Sequence, residues 1–306
     1  MSMRRSKWRF KTTPYVNPWC AFISSMFAVL VVAMFGLFPA ILNLVISLTN
    51  YNGLWSNTQF VGLSNYILFL TSAGGKDMLN AFWVTIKYAL MIVIPNNVIA
   101  LLVAMLVNKG LFGSKFFRAL FFMPSILGVV VVTSAWKLIF DPYRGPIAAL
   151  LEPLGITSSF LGGDSTALLC VVIIALWASF GYSMVLYYAG LQSIDRTYYE
   201  AGEMDGVGPF QKLIYITLPL LKPYLVICYW IGISGALGVS DYIILTTMGG
   251  HGTTTIGFYI YNIVISNPIN QGQSAAVSNY NFIFVTAIML LYNYLTGRKE
   301  KKEEAQ

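Results

Sequence analysis

Residues 167–191 read ALLCVVIIALWASFGYSMVLYYAGL, a stretch without a charged side chain. A helix rises 1.5 Å per residue, so a stretch of this length can cross a hydrocarbon core about 30 Å thick. In the whole chain, 57% of the residues are hydrophobic and 10% are charged, whereas a soluble domain carries about 25% charged residues. The stretch therefore predicts a membrane-spanning helix, in a chain built mostly from such helices.

Five other apolar stretches on either side have a similar length. Together they predict an all-α membrane protein with six transmembrane helices, at residues 19–48, 82–107, 119–140, 167–191, 224–247 and 278–295. Basic residues precede the first stretch, as in a signal peptide. Its apolar run is longer than the roughly 7–15 residues of a signal-peptide core, so we expect this helix to be retained.

The basic residues lie mainly on one side of these helices. The N-terminal tail, the loops near 108–118 and 192–222 and the C-terminal tail hold 15 Lys and Arg residues, against two in the alternate loops. Loops rich in Lys and Arg remain in the cytoplasm, so we expect both termini to be cytoplasmic. This distribution explains the net charge of +7 without a nucleic acid as partner.

The cytoplasmic loop after the fourth helix carries the most specific pattern. Residues 194–219 read IDRTYYEAGEMDGVGPFQKLIYITLP. Asp195 can cap a short helix, which Gly206, Gly208 and Pro209 would end. A second short helix is expected to start near 210 and to end before Pro219, which opens the fifth span. Such a pair would expose apolar and acidic side chains where lipid cannot cover them, which favours a docking surface for another protein.

This loop resembles the "EAA" loop of permease subunits in binding-protein-dependent ABC importers. The run E-A-G at 200–202 is followed by Gly206 and by I-T-L-P at 216–219, with the spacing of that family. Gly202 stands where the family usually has a second alanine. The resemblance implies that the loop couples transport to a separate ATPase through Tyr199, Glu200, Ala201, Gly202, Asp205, Gly206 and Pro219.

The likeness extends over nearly the whole chain, from about residue 15 to 297. Residues 60–66, 117–124, 136 and 189–192 resemble segments of the sugar-importing branch, which includes the maltose and glycerol-phosphate importers. Within that branch the chain is similar to the first of two paired permeases. The implied organisation is a cytoplasmic tail at 1–18, a permease domain at 19–297 with the coupling loop at 195–217, and a second cytoplasmic tail at 298–306.

The resemblance also implies the other parts of the machine. These are a second permease, a homodimeric cytoplasmic ATPase that binds ATP and Mg²⁺, and an extracytoplasmic protein that delivers a carbohydrate, with the permease in the bacterial inner membrane. The chain itself has no phosphate-binding loop, no pattern typical of a catalytic site and no metal-ligand cluster. We therefore expect a subunit without catalytic activity and without a bound cofactor or metal.

Two other classes of membrane protein are less well supported. A stand-alone secondary carrier or channel usually has internal repeats and broken helices, which we do not expect from this sequence, and the cytoplasmic loop would have no role in it. A membrane enzyme would need catalytic groups. The single histidine, His251, is expected to be a solvated turn residue in an outer loop.

The substrate pathway is less well defined by the sequence than the loop is. Tyr182 falls at a position resembling a sugar-contacting tyrosine of a related maltose-importer subunit, and four small or apolar residues fall on other contact positions. With two polar residues of the fifth span, the predicted pathway comprises Tyr182, Gly232, Ser234, Gly235, Ala236, Val239 and Asp241. A neutral oligosaccharide is the preferred substrate. The alternative is an anionic one, such as a uronate oligosaccharide or glycerol phosphate, with Lys87 or Lys137 as counter-charge.

Overall fold

The computed structural model describes residues 18–54, 56, 58–71, 73–110, 112–266 and 271–303. Apart from one isolated bridge between Thr49 and Phe60, the regular structure in these residues is helical. The prediction of an all-α membrane protein is confirmed. Most of the N-terminal tail predicted at 1–18 lies outside the described residues, and so do residues 304–306 of the predicted C-terminal tail.

We number the helices in chain order. They are α1 (Trp19–Ser47), α2 (Ser64–Thr71), α3 (Ala73–Asn108), α4 (Ser114–Phe122), α5 (Val129–Ile139), α6 (Pro146–Leu151), α7 (Ala167–Ser193), α8 (Arg196–Met204), α9 (Pro209–Leu220), α10 (Lys222–Leu237), α11 (Asp241–Thr246), α12 (Ile256–Ser266) and α13 (Gln271–Glu303).

Four helices, α1, α3, α7 and α13, are long and apolar enough to cross a membrane. Two bent pairs raise the number of candidate spans to six: α4 with α5, which meet at 100°, and α9 with α10, which meet at 72°. The spans at 119–140 and 224–247 were expected to be continuous, and this expectation is wrong. Pro124 lies in a short 3₁₀ turn after α4, and Leu127 and Gly128 are extended, which interrupts the helix before α5 begins.

The fifth span follows a bend at one end and stops at a break before its predicted end. It begins at Lys222, after a bend at Leu221, so Pro219 lies inside α9 rather than at the start of the span. It ends at Leu237, and α11 is a separate short helix. Because these breaks exist, our expectation that the chain has no broken helices is also wrong.

The core forms where α3 packs along α7. Tyr88, Val171 and Ala175 are buried in one cluster there, and Ala100 with Tyr187 lies in a second one. Helix α4 approaches α7 closely, since a Cβ at Gly181 would lie 2.2 Å from the backbone oxygen of Phe121. In α1, by contrast, Ser47 is the only buried residue.

Helices α2 and α12 were not predicted. Helix α12 is apolar but has 11 residues, too few to cross a bilayer, which needs about 20. It packs with α2, α3 and α13 around the buried residues Phe69, Met78, Ile256 and Val277. The segment at 60–66 has a structural role here, because the buried amide of Asn65 donates to the backbone oxygens of Ser47 and Thr49, 2.8 Å away in each case.

Candidate functional site

The predicted loop begins with a capped helix. The Asp195 backbone is extended, and its carboxylate accepts a hydrogen bond from the backbone N–H of Thr197 at 3.0 Å. This bond, with a second one from the Thr197 hydroxyl, holds the pKa of Asp195 below its usual value. An acceptor at this position satisfies an N–H group that the first turn leaves free, so the sequence starts α8 where expected.

Helix α8 ends at a glycine that other residues could not easily replace. Asp205 is its C-terminal cap, and Gly206 has a φ of +73°, a conformation that L-residues rarely adopt. The next residue folds back, because the Val207 N–H donates to the Gly202 oxygen at 2.8 Å. Gly202 is buried, and a Cβ there would lie 2.9 Å from Cδ1 of Ile216. The glycine in place of alanine therefore lets α8 lie close to α9.

Two side-chain contacts join α8 to α9. The hydroxyls of Tyr199 and Thr217 are 3.1 Å apart, and the Lys212 ammonium lies 2.6 Å from the Glu203 carboxylate. Thr217 is buried at the end of a π-helical turn and also donates to the Lys212 oxygen at 3.2 Å. The second helix of the loop therefore contains a π-turn and runs on to Leu220.

The outward surface of the loop is both acidic and apolar. Glu200, Ala201 and Asp205 are exposed. Apolar and aromatic side chains that no described residue covers accompany them, namely Tyr198, Met204, Phe210 and Tyr215. The structure thus brings the predicted loop residues into one compact unit with an open face. Sequence reasoning missed Glu203, Lys212 and Thr217, which join the two helices.

A cavity of about 400 Å³ lies between α3, α7 and α10. Five of the seven residues predicted for the substrate pathway line it: Tyr182, Gly232, Gly235, Ala236 and Val239. Ser234 and Asp241 do not line it. Asp241 is exposed at the first position of α11, where it accepts a hydrogen bond from the Ser240 hydroxyl at 3.1 Å.

One wall of this cavity is polar and fixed by hydrogen bonds. Asn96 on α3 accepts a bond from Ser179 and donates one to Ser183, both at 3.0 Å. Behind it, the Tyr187 hydroxyl donates to the Asn97 side chain at 2.5 Å. These contacts join α3 to α7 at the position where Tyr182, which is 48% exposed, faces the cavity.

Ser125 and Ser179 also line the cavity and were not predicted. Ser179 lies three residues before Tyr182, so helical periodicity could have identified it. Ser125 reaches the cavity because the chain breaks after Pro124, and the sequence pattern did not reveal that break.

The residues that line the cavity include no charged side chain, within the part of the chain that the structure describes. Lys87 is exposed on α3, with its ammonium 5.4 Å from the centre of the Trp83 ring. Lys137 is exposed in the last turn of α5. Neither residue lines the cavity, so neither supplies a counter-charge for an anion in it.

His251 is an exposed turn residue, as expected, and it also has a bonded partner. It is exposed, but its Nδ1 lies 2.7 Å from the carboxylate of Asp164, which joins the loops before α7 and before α12. No group of three or more His, Cys, Asp or Glu residues that could hold a metal ion occurs among the described residues.

Residues 96–300 match the family described as "Binding-protein-dependent transport system inner membrane component". The chain belongs to this family. The matched range includes the loop at 194–219 and most of the cavity residues. This permease is therefore a multi-pass protein of the bacterial inner membrane, and the family resemblance stated from its sequence is confirmed. Membership in this family favours a transport subunit over a stand-alone carrier or an enzyme.

Two relatives of the permease cover nearly its whole length. It is 30% identical to the sn-glycerol-3-phosphate transport system permease protein UgpA of Escherichia coli, over 97% of this chain and 99% of the relative. It is 29% identical to the probable starch degradation products transport system permease protein AmyD of Thermoanaerobacterium thermosulfurigenes, over 86% of this chain and 89% of the relative.

A solved structure has the same fold as the permease. It is titled as a bacterial alginate ABC transporter in complex with an alginate pentasaccharide-bound periplasmic protein. The TM-score is 0.78 over 92% of this chain and 94% of that one, with 20% sequence identity.

Proposed function

We propose that this permease forms, with a second permease, the pathway of an ATP-driven importer, and that its loop at 195–217 docks a homodimeric cytoplasmic ATPase. The support is the construction of the loop. Its two helices are held together by an ion pair and a hydrogen bond, while Glu200, Ala201 and Asp205 remain exposed on its surface. A rigid unit with an open face can pass the movement of a partner on to the helices that continue from it.

The proposed mechanism is a switch between two states of the assembly. ATP closes the ATPase dimer, the docked loops move with it, and the spans rock between outward-facing and inward-facing arrangements. In this proposal, Tyr199, Glu200, Ala201, Gly202, Asp205, Gly206 and Pro219 position the docking loop. ATP and Mg²⁺ belong to the ATPase, and this chain binds neither.

The topology is part of the same proposal. Both termini and the loops near 108–118 and 192–222 lie in the cytoplasm, as the distribution of Lys and Arg indicates. An extracytoplasmic binding protein delivers substrate to the opposite side, which agrees with the family description. The domain boundaries that we propose are 1–18, 19–297 and 298–306.

For the substrate we propose a neutral sugar, probed first as an oligosaccharide. The observation that carries this is the cavity between α3, α7 and α10, which offers an aromatic ring and fixed amide and hydroxyl groups without a charged side chain. Sugar hydroxyls bond to such groups, and an aromatic ring packs on the apolar face of a sugar. The relative named for starch degradation products supports this choice.

An anionic substrate is the second candidate, and two observations favour it. One relative is named for sn-glycerol-3-phosphate, and a structure with the same fold is named for alginate, an acidic polysaccharide. Because Lys87 and Lys137 do not line the cavity, a counter-charge would have to come from the second permease.

The experiment that tests the substrate class is a competition in the reconstituted importer. ATP-dependent uptake of a radiolabelled neutral glucose oligosaccharide is measured against an excess of unlabelled neutral oligosaccharide, uronate oligosaccharide or glycerol phosphate. We expect competition by the neutral sugar only. No uptake of the labelled neutral oligosaccharide, together with ATP-dependent uptake of a labelled uronate oligosaccharide or glycerol phosphate, would overturn the neutral assignment and leave the importer itself in place.

A further inference from the structure

The wall of the cavity contains an amide whose bonding capacity is only half used. Asn96 is 6% exposed and lines the cavity between α3, α7 and α10. A side-chain amide has two N–H donors and two lone pairs on its oxygen, so it can take part in four hydrogen bonds. The bonds to Ser179 and Ser183 use one donor and one lone pair. One N–H and one lone pair of Asn96 therefore remain beside the cavity.

The two serines hold this amide in place. Ser179 and Ser183 are four residues apart, so they lie on the same face of α7, and both line the cavity with Asn96. The Ser183 oxygen accepts the bond from Asn96, and its own hydrogen is donated to no residue that the structure describes. The wall therefore offers two donors, the Asn96 N–H and the Ser183 O–H, and an acceptor on the Asn96 oxygen, in the cavity that Tyr182 also lines.

The neighbouring asparagine has a different position. The Asn97 amide donates to the Val93 backbone oxygen at 2.8 Å and accepts the bond from the Tyr187 hydroxyl. Asn97 is 2% exposed and does not line the cavity. It therefore supports the wall from behind, whereas Asn96 stands where a substrate in the cavity can reach it.

The unused groups of Asn96 match hydroxyl groups. A hydroxyl both donates and accepts, so sugar hydroxyls can pair with the N–H and with the lone pair. An ionised carboxylate only accepts, and a carboxylate at this position would leave the Asn96 lone pair without a donor. A buried polar group without a partner disfavours binding, and a site that bonds a hydroxyl discriminates against an analogue that lacks it. The wall therefore favours a substrate that places hydroxyls here.

We propose that Asn96 contacts the substrate and selects for a sugar hydroxyl, with Ser183 bonding to the same or a neighbouring hydroxyl. The assignment rests on the proposed function, since a neutral sugar has to pass through the cavity. It adds a contact from α3, whereas the pathway residues predicted from the sequence lie on α7 or between positions 232 and 241.

The test combines changes in the protein with changes in the sugar. The importer is reconstituted with its binding protein, second permease and ATPase. ATP-dependent uptake of a labelled neutral glucose oligosaccharide is compared with that of analogues that each lack one hydroxyl. Because the binding protein is the same throughout, a difference between permease variants arises in the permease. In the parent, we expect at least one analogue to be taken up about tenfold more slowly, because Asn96 then loses a partner.

Variants of the two asparagines separate contact from support. Asn96→Leu removes the amide at similar volume, so the penalty for that analogue should disappear, as in a double-mutant cycle. Ser183→Ala is a smaller change that guards against misfolding of Asn96→Leu, and it should reduce the penalty for the same or a neighbouring hydroxyl. Asn97→Leu should slow the uptake of all these sugars alike and keep the tenfold penalty.

Two failures can be told apart. Penalties that are the same in the parent, Asn96→Leu and Ser183→Ala would overturn the assignment alone, and Asn96 would then only join α3 to α7. No uptake of the neutral oligosaccharide by the parent would overturn the proposed substrate, and the contact with it.

Discussion

The loop between α7 and α10 and the cavity beside α7 are built from contacts of very different range in the sequence. In the loop, Tyr199 and Thr217 are 18 positions apart. In the cavity wall, Asn96 contacts residues 83 and 87 positions away. The loop is therefore a local structure with fixed turn chemistry, whereas the cavity exists only once distant helices have packed. Changes in the loop should affect coupling, and changes in the cavity should affect passage of the substrate.

The largest effect is expected from Gly206→Pro. Gly206 has a φ of +73°, and proline fixes φ near −65°, so the turn after α8 cannot form. If the folded loop is destabilised by about 3 kcal/mol or more, ATP-dependent uptake should fall roughly 100-fold. The ATPase should also be lost from the purified complex. The matched control is Gly208→Ala, because Gly208 has a φ of −68° and room for a Cβ. Equal effects of the two substitutions would show that the turn does not matter.

The second-largest loss of uptake is expected from a substitution in the cavity. Gly235 lines it, whereas its neighbour Ser234 does not. Gly235→Leu should lower uptake by about tenfold, because the leucine side chain would occupy space that Gly235 leaves open in the cavity, and a loss of roughly 1.4 kcal/mol in binding the passing substrate corresponds to a factor of ten, while the ATPase stays bound. Ser234→Leu should change uptake little. If Ser234→Leu were the more harmful of the two, the pathway would lie elsewhere on α10.

A smaller effect on coupling is expected when one of the two tyrosines of α8 loses its hydroxyl. Tyr199→Phe removes the hydroxyl that bonds to Thr217, and such a bond contributes about 1 kcal/mol. The substrate molecules moved per ATP hydrolysed should fall about fivefold, with basal ATPase activity kept. Tyr198→Phe is the control, since Tyr198 is exposed on the open face. Unchanged coupling in Tyr199→Phe would mean that the ion pair of Glu203 and Lys212 alone joins the helices.

The smallest effect concerns the cap of α8. The N–H of Thr197 holds the pKa of Asp195 below its usual value. Such a group stabilises the folded loop above the unfolded pKa of about 3.9, and this stability is lost as pH falls through the lowered pKa. ATPase docking should therefore not vary with this group between about pH 5 and 8. Asp195→Ala should weaken docking slightly, whereas Asp195→Asn keeps an acceptor. The prediction would be contradicted if docking of the ATPase changed with pH near neutrality and the Asp195→Asn variant no longer showed that change.

The difference between the local contacts of the loop and the distant contacts of the cavity explains which features could be predicted from the sequence. Start and stop signals such as Asp195 and Gly206 act within a few residues, so α8 could be predicted closely. The four continuous candidate spans could also be predicted, because they follow from apolar length, whereas the other two predicted spans correspond to bent helix pairs. The break at Leu127 and Gly128 could not, since extended backbone inside a span is tolerated only where other parts of the protein surround it.

The pathway residues were only partly predictable for the same reason. Tyr182 and Gly235 were assigned through the family resemblance and line one cavity, but Ser234 and Asp241 do not. Ser234 is next to Gly235 in sequence, and the rotation of α10 decides which of the two faces the cavity. That rotation depends on packing against α3, where Val93 lies beside Gly232.

The central claim, that the loop at 195–217 docks an ATPase of an importer, is tested most directly by co-purification. The tagged permease is extracted from native membranes beside a Glu200→Ala/Gly206→Pro variant, and the attached proteins are identified. We predict that an ATPase and a second permease accompany the parent, and that the variant loses the ATPase but keeps the second permease. A permease that purifies without an ATPase and transports substrate without ATP would contradict the account.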